Sequence, residues 1–573
     1  MRARRGSRVA SLVPLSLAAL ATAAPGQALF TRASVDPQGA PADGDSLGPA
    51  LSRDGRFVAF SSGATNLVAS DGNHVNDVFV RELSTGTTTR VSVSSSGKEG
   101  NRHSNYPAMT GDGRFVVFQT DASNLVAGDT NGANDIFLHD RDPDGNGVFD
   151  EGNGTTERVS VTAGGAQANS GSFMATITAD GRFVAFASSA TNLVSNDLNG
   201  YTDVFVKDRT TGIVTCVSVD GNGDTRHGVS NDPEISDDGN AVAFASESPF
   251  LVANDNNATE DVFLRDLVAG VTTRVSVDSA GVEGNGVSRH PALSPDGLIV
   301  AFDSFASNLV PGDQNRNVDV FVHEMATATT TRASVDAAGQ ETWGFSRAPC
   351  VTADGSLVGF TSDSSTYVLG DLLGHHDVFV KDRTTGIVTI VSGGCGTFGD
   401  DDSGSVVLSG DGAVASFETR ATDFVSGDSG YFQDIYVRDR SRPDPIAASA
   451  SYGAGFAGSL GVPTLAASAP PVLGTSTTID VGSSYGGWTV GFVFVGLSQA
   501  SLSLPYGATL LVGDLVLPLV PISLAPTFDS IPLDVPAHPW VAGAIVELQV
   551  VELDPGASHG LAFTPGLELE FGG

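Results

Sequence analysis

Acidic oxygens dominate the chemistry this chain can offer. The run Asp142-Pro143-Asp144-Gly145-Asn146-Gly147-Val148-Phe149-Asp150 sets side-chain oxygens at its first, third, fifth and ninth positions, a glycine at the sixth for a sharp bend and a carbonyl at the seventh. That spacing suits a hard cation seeking six or more oxygens, calcium above all, with Asp142, Asp144, Asn146 and Asp150 as its metal ligands. The competing reading is a hairpin turn closed by side-chain to backbone hydrogen bonds. A second pattern recurs along the chain: Asp71 and Asp77, Asp129 and Asp135, Asp197 and Asp203, Asp255 and Asp261, Asp313 and Asp319, Asp371 and Asp377, Asp428 and Asp434, each pair six apart. Five pairs carry Asn two places after the first Asp (Asn73, Asn131, Asn199, Asn257, Asn315), where the last two have Leu373 and Gly430. Either the first Asp makes an Asx turn and the second caps a strand, or the pairs hold cations.

Other chemistries are poorly represented. Gly482-Ser483-Ser484-Tyr485-Gly486 and Gly556-Ala557-Ser558-His559-Gly560 fit Gly-x-Ser-x-Gly, but neither opens a helix after a strand, as a nucleophile elbow must. His375 and His376 beside Asp377 are metal-capable by type, although a solvated loop explains them as well. Lys and Arg number 30 against 66 Asp and Glu, a formal charge of −36 that excludes a nucleic-acid binder relying on phosphate neutralisation. With 40% hydrophobic and 17% charged residues the chain is no acidic disordered tail.

The elements that must position these groups repeat. Ser52-Arg53-Asp54-Gly55-Arg56-Phe57-Val58-Ala59-Phe60 recurs with its Asp-Gly at Asp112, Asp180, Asp238, Asp296, Asp354 and Asp411, at spacings of 58, 68, 58, 58, 58 and 57. Seven copies of a 58-residue unit make an array, and the long spacing marks a ten-residue insertion that contains Asp142 to Asp150. Each unit reads as four strands separated by Asp-Gly and Thr-Gly turns. The middle two, such as Phe183-Val184-Ala185-Phe186 and Val204-Phe205-Val206, are continuously apolar and so buried on both faces. The fourth, such as Thr87-Thr88-Thr89-Arg90, is polar, as an outer edge should be. A sheet apolar on both faces must lie between like neighbours, and seven closed in a ring make a β-propeller.

The predicted fold is therefore all-β: a seven-bladed β-propeller over residues 29–445, closed by the N-terminal strand. Arg32 in Thr31-Arg32-Ala33-Ser34-Val35 lies 58 residues before Arg90, in the fourth-strand register shared by Arg158, Arg274 and Arg332, with Cys216 and Ile390 in the same slot. The seventh copy lacks its own fourth strand, so the early segment should supply it. Alternating strand directions place the fourteen paired carboxylates on one rim and the insertion on the other. Like charges 4 Å apart repel by about 4 kcal/mol in an effective dielectric of 20, so cations, donors or water must intervene, and basic partners are attracted.

The repeated Ser-x-Asp-Gly-Arg-x-Val-Ala-Phe, followed by Asp-Val-Phe-Val-Arg-Asp and Thr-Gly, resembles the TolB-type (WD-like) propeller repeats of exported bacterial proteins over residues 29 to about 445. It differs from TolB in having seven copies where that family has six, and in lacking its N-terminal α/β domain. The insertion similarly resembles the calcium loops of integrin-type propellers and the first half of an EF-hand, without the distal bidentate Glu.

Both termini carry separate information. Arg2, Arg4, Arg5 and Arg8 precede an apolar Val9 to Ala24 and small residues to Ala28, which reads as a signal peptide over 1–28. Extracytoplasmic localisation follows, whether periplasmic, cell-surface or secreted, with no transmembrane segment left after cleavage. Three cysteines, Cys216, Cys350 and Cys395, are too few for a disulfide framework, though a Cys350–Cys395 bridge stays open. Residues 446–573 contain no Lys or Arg and read as a small C-terminal β-sandwich-like domain resembling those of other exported bacterial proteins. The expectation is a non-enzymatic, calcium-stabilised scaffold binding a protein or glycan on a propeller face. The alternative is a propeller lyase or hydrolase acting on extracellular polysaccharide or peptide, with Arg102, His103, Arg226, His227, Arg289 and His290 as candidate channel-side groups. The oligomeric state is left open by the sequence.

Overall fold

The computed structural model describes residues 30–441 except 226–227, 368–373, 395–396, 423 and 426–430; beyond these it describes strands and single residues of the C-terminal segment, together with Leu15–Ser16. Among the described residues the regular structure is β throughout, and no helix is long and apolar enough to cross a membrane. The segment 1–28 lies outside them apart from Leu15–Ser16, which pair with Leu533–Asp534.

Seven four-stranded antiparallel sheets follow one another around a ring. Blade one runs Ser46–Leu51, Phe57–Ser62, Asp77–Glu82 and Thr87–Arg90, from the inner strand outward. Phe30–Arg32 pairs antiparallel with Asp434–Asp439 and supplies the outer strand of blade seven, as expected. The inner strand of blade one packs on both inner strands of blade seven, which completes the circle.

Each feature of the repeat has a local cause. Ser52 Oγ donates to Asp54 (2.7 Å) and accepts the Phe57 N–H (2.9 Å), while Asp54 accepts the Arg56 N–H (3.0 Å), closing the first turn. Glycine is required in the turn for two reasons. Gly181 has φ +71°, and a Cβ there would lie 2.4 Å from the Phe115 ring of the preceding blade. The second strand of blade one, Phe57–Ser62, is buried at every residue. An aromatic pair such as Phe60 and Phe79 bridges the middle strands of every blade with ring centroids 5.8–6.3 Å apart. The core is a set of wedges between blades: Ala59, Val78 and Val80 of blade one meet Val116, Phe118 and Phe137 of blade two. Burying each such Phe contributes about 1.5–3 kcal/mol.

The C-terminal strands form a seven-stranded sheet and a four-stranded sheet, the latter including Leu15–Ser16. Cys216 and Cys350 are free thiols, and Cys395, the other end of the bridge left open above, lies outside the described residues.

Candidate functional site

The insertion is held by its own bonds. Asp142 accepts the N–H groups of Asn146 (3.0 Å) and Gly147 (2.9 Å), and Asn146 Oδ1 accepts the Val148 N–H (2.7 Å). Asn146 Nδ2 donates to Asp144 and to Glu151. Asp150 grips the buried Arg141 guanidinium with both oxygens, at 3.0 and 2.5 Å. Arg141 also stacks on Phe57 and Phe149 and donates to the Gly113 carbonyl. Asp150 is thus committed to Arg141, while Asp142, Asp144 and Asn146 are tied into the hairpin by their own hydrogen bonds.

The paired aspartates sit deeper than a rim location implies. The second Asp of each pair is almost fully buried at the start of the third strand. In blade one, Asp77 accepts from Ser92 Oγ (2.6 Å), Asn73 Nδ2 (2.9 Å) and Arg90 Nη1 (3.2 Å). Arg90 also meets Glu99 at 2.9 Å and Asp71 at 3.6 Å. Burial raises the Asp77 pKa, while Ser92, Asn73 and Arg90 oppose the rise. Arg158, Arg274 and Arg332 repeat the arrangement, and Arg32 faces Asp434 at 3.7 Å from the N-terminal strand. The fourth-strand register that reveals closure is thus also the counter-charge of the acidic pairs. Asp313, Asp319 and Glu341 are close enough together to share a metal, but Arg332 lies among them at 2.9–3.8 Å. His375, just before the third strand of blade six, and Asp401 and Asp402, just before the inner strand of blade seven, form a second such group.

The axial channel gathers the remaining polar chemistry. The inner strand of every blade carries one residue with positive φ at the same position: Gly48, Tyr106, Met174, Asp232, His290, Ala348 and Ser405, at 48–60°. Pro follows in five blades, and the strand pairing skips there, as at Asn231/Glu234. Six non-glycine residues in the left-handed region are strained, and the ring they form faces a shared lumen of about 420 Å³. Where the neighbouring blade offers an acceptor, the turned-in N–H uses it: Met174 donates to Gln119, Ala348 to Asp303 (3.0 Å) and Gly48 to Glu418 (2.8 Å).

The lumen is two-sided. Tyr106 and Met174 expose apolar surface on one side. Blades four and five supply Asp232, Glu234 and His290 on the other. His290 Nδ1 lies 2.8 Å from Asp303 Oδ2, and that bond raises the imidazole pKa against the effect of burial. Glu234 is half-buried on the inner strand, and desolvation with Asp232 beside it pushes its pKa up to about 8. Behind it, Arg289 pairs with Glu260. Of the candidate channel-side groups, His290 lines the lumen, and Arg289 precedes it on the inner strand Ser288–Leu293. Arg102 pairs with Asp121, His103 accepts the Asn76 N–H, and Arg226 and His227 lie outside the described residues. Asp232, Glu234 and Asp303 escape the sequence reading. The recurring Ser-x-x-Pro of the inner strand, with Asp232 and His290 before the prolines, is the signal that could have found them.

No protein-family model and no curated protein matches the chain. Among solved structures, a protein assigned as TolB from Agrobacterium tumefaciens is 16% identical, with 62% of this chain and 95% of that chain covered and a TM-score of 0.33. A periplasmic gluconolactonase from Pseudomonas aeruginosa is 12% identical over 60% of this chain and 83% of its own, with a TM-score of 0.31. A study of two prolyl endopeptidases supplies a match at 11% identity over 77% and 54%, with a TM-score of 0.42. At these values the likenesses carry no argument about ligand or activity.

Proposed function

We propose that the protein is an exported binding propeller that takes a protein or glycan segment at the mouth of its axial channel. The carrying observation is the ring of inward-turned residues. Seven blades hold the same left-handed conformation, yet the side chains displayed differ in every blade. A purely structural position would be filled by glycine throughout, because φ near +50° disfavours any other residue. Tyr106 offers an aromatic face and Met174 an adaptable apolar one, while Asp232, with Glu234 beside it, favours a ligand presenting cationic or hydrogen-bond-donating groups. Glycan arrays and immobilised peptide libraries, probed with wild type, Tyr106→Ala and Asp232→Asn, test this reading. Binding that is lost in both variants supports it; binding indifferent to both places the ligand elsewhere.

One observation favours a second reading, an enzyme acting on an extracellular polymer. His290 is oriented by a buried carboxylate, and burial beside Asp232 pushes the pKa of the nearby Glu234 up to about 8, so one lumen would offer both a base and an acid. Turnover of polysaccharide or peptide abolished by both His290→Asn and Glu234→Gln would establish that reading over the first.

A further inference from the structure

Among the described residues, blade three lacks the fourth-strand arginine that blades one, two, four, five and seven place beside their acidic pairs. In the third-to-fourth-strand register, Arg90, Arg158, Arg274 and Arg332 stand opposite Phe79, Phe137, Phe263 and Phe321, whereas Cys216 stands opposite Phe205. The outer acid of blades one, four and five, Glu99, Glu283 or Glu341, is replaced at the matching bridge by Thr225. The acidic pair itself is retained. Asp203 still accepts from Ser218 (2.6 Å) and Asn199 (2.8 Å). Asp197 is 2% exposed, and among the described residues neither of its carboxylate oxygens has a hydrogen-bond partner. Burial raises its pKa, and the backbone N–H of Asn199 opposes the rise without reaching hydrogen-bond geometry. In blades one, four and five the corresponding Asp has an arginine nitrogen within 3.3–3.8 Å.

A buried carboxylate with no partner is expensive, and it is retained only when something neutralises it. Burial pushes the Cys216 thiol far up, so it stays protonated and offers no thiolate to a soft metal. What remains are hard oxygens: both of Asp197 and the second oxygen of Asp203. We infer that a hard divalent cation, with calcium the best fit, occupies in blade three the place that a guanidinium fills in the sister blades, bridging Asp197 and Asp203 with water completing its shell. This inference stands apart from the channel reading and from the Asp142–Asp150 hairpin. In blade six, where Ile390 fills the slot, Asp371 lies outside the described residues.

The full-length protein, freed of metal by chelator dialysis, is titrated with calcium chloride by calorimetry, and its melting is followed with and without calcium. Wild type should bind a calcium that Cys216→Arg and Asp197→Asn each lose and Asp142→Asn keeps. At a hundredfold excess over Kd, calcium should raise the wild-type Tm by roughly 3 °C, and Cys216→Arg should reach the calcium-loaded value without the ion. An unchanged number of bound ions in Cys216→Arg overturns the inference. So does a wild type that binds none while Asp197→Asn melts higher at neutral pH, which would mean that a proton neutralises the pair. Should Cys216→Arg fail to fold, the near-isosteric Asp197→Asn decides alone.

Discussion

Single side chains decide how this molecule tolerates its acidity. Arg274 is buried among Asp255, Asp261 and Glu283, so its value lies in what it leaves uncompensated when removed. Arg274→Met should destabilise the protein by about 3–5 kcal/mol, read from the urea midpoint, the usual cost of orphaning buried charge. Asp150→Asn should cost a similar amount by releasing Arg141, with or without calcium in the buffer. Glu234 makes a pH prediction. Its folded pKa of about 8 exceeds the ordinary 4.5, so between those values the folded chain holds a proton that the unfolded chain has released. Stability must therefore fall as pH rises from about 4.5 to 8. Asp261, raised to about 6 chiefly by burial, acts with the same sign from about 4 to 6, and His290 with the same sign on the alkaline side. His139, depressed to about 4 by burial, opposes them below its ordinary 6.5. Denaturant midpoints from pH 6 to 8 should flatten in Glu234→Gln, and an unchanged slope would show that channel water solvates that carboxylate fully.

Among elements, the N-terminal strand bears the most on integrity. Three residues suffice to form it, because Phe30 is buried against Phe417 and Phe424 and the backbone pairs with Asp434–Asp439. Phe30→Ala should lower stability by about 3–5 kcal/mol, whereas Thr87→Ala, on an exposed outer strand, should change it by less than about 0.5 kcal/mol. Melting of both variants in one buffer checks the contrast. Blade boundaries, turns and strand order were readable because Asp-Gly turns and doubly apolar runs are local signals. The partner of each fourth-strand arginine was not readable. Arg90 reaches Asp71 and Asp77 across a hairpin and a loop, and only the pairing register brings them together.

At the scale of the whole molecule, a formal charge of −36 loads the compact state with self-repulsion. The buried arginine–aspartate groups are shielded from ions, while the surface carboxylates are not. Added sodium chloride should therefore raise the melting temperature between low and physiological ionic strength, and a fall would show that surface ion pairs such as Arg56–Glu82 outweigh the repulsion.

Sequence alone determined the ring: a sheet apolar on both faces and copied seven times has to be sandwiched by its siblings, and the displaced fourth strand shows where the circle closes. Tertiary structure decided the chemistry. It drew Asp150 onto Arg141, sank the paired aspartates under arginines, left Asp197 without one, and turned Asp232 and His290 toward a common lumen. Burial patterns are written into neighbouring residues, whereas a site depends on directions in which side chains from distant segments point, and those directions exist only once the ring has closed.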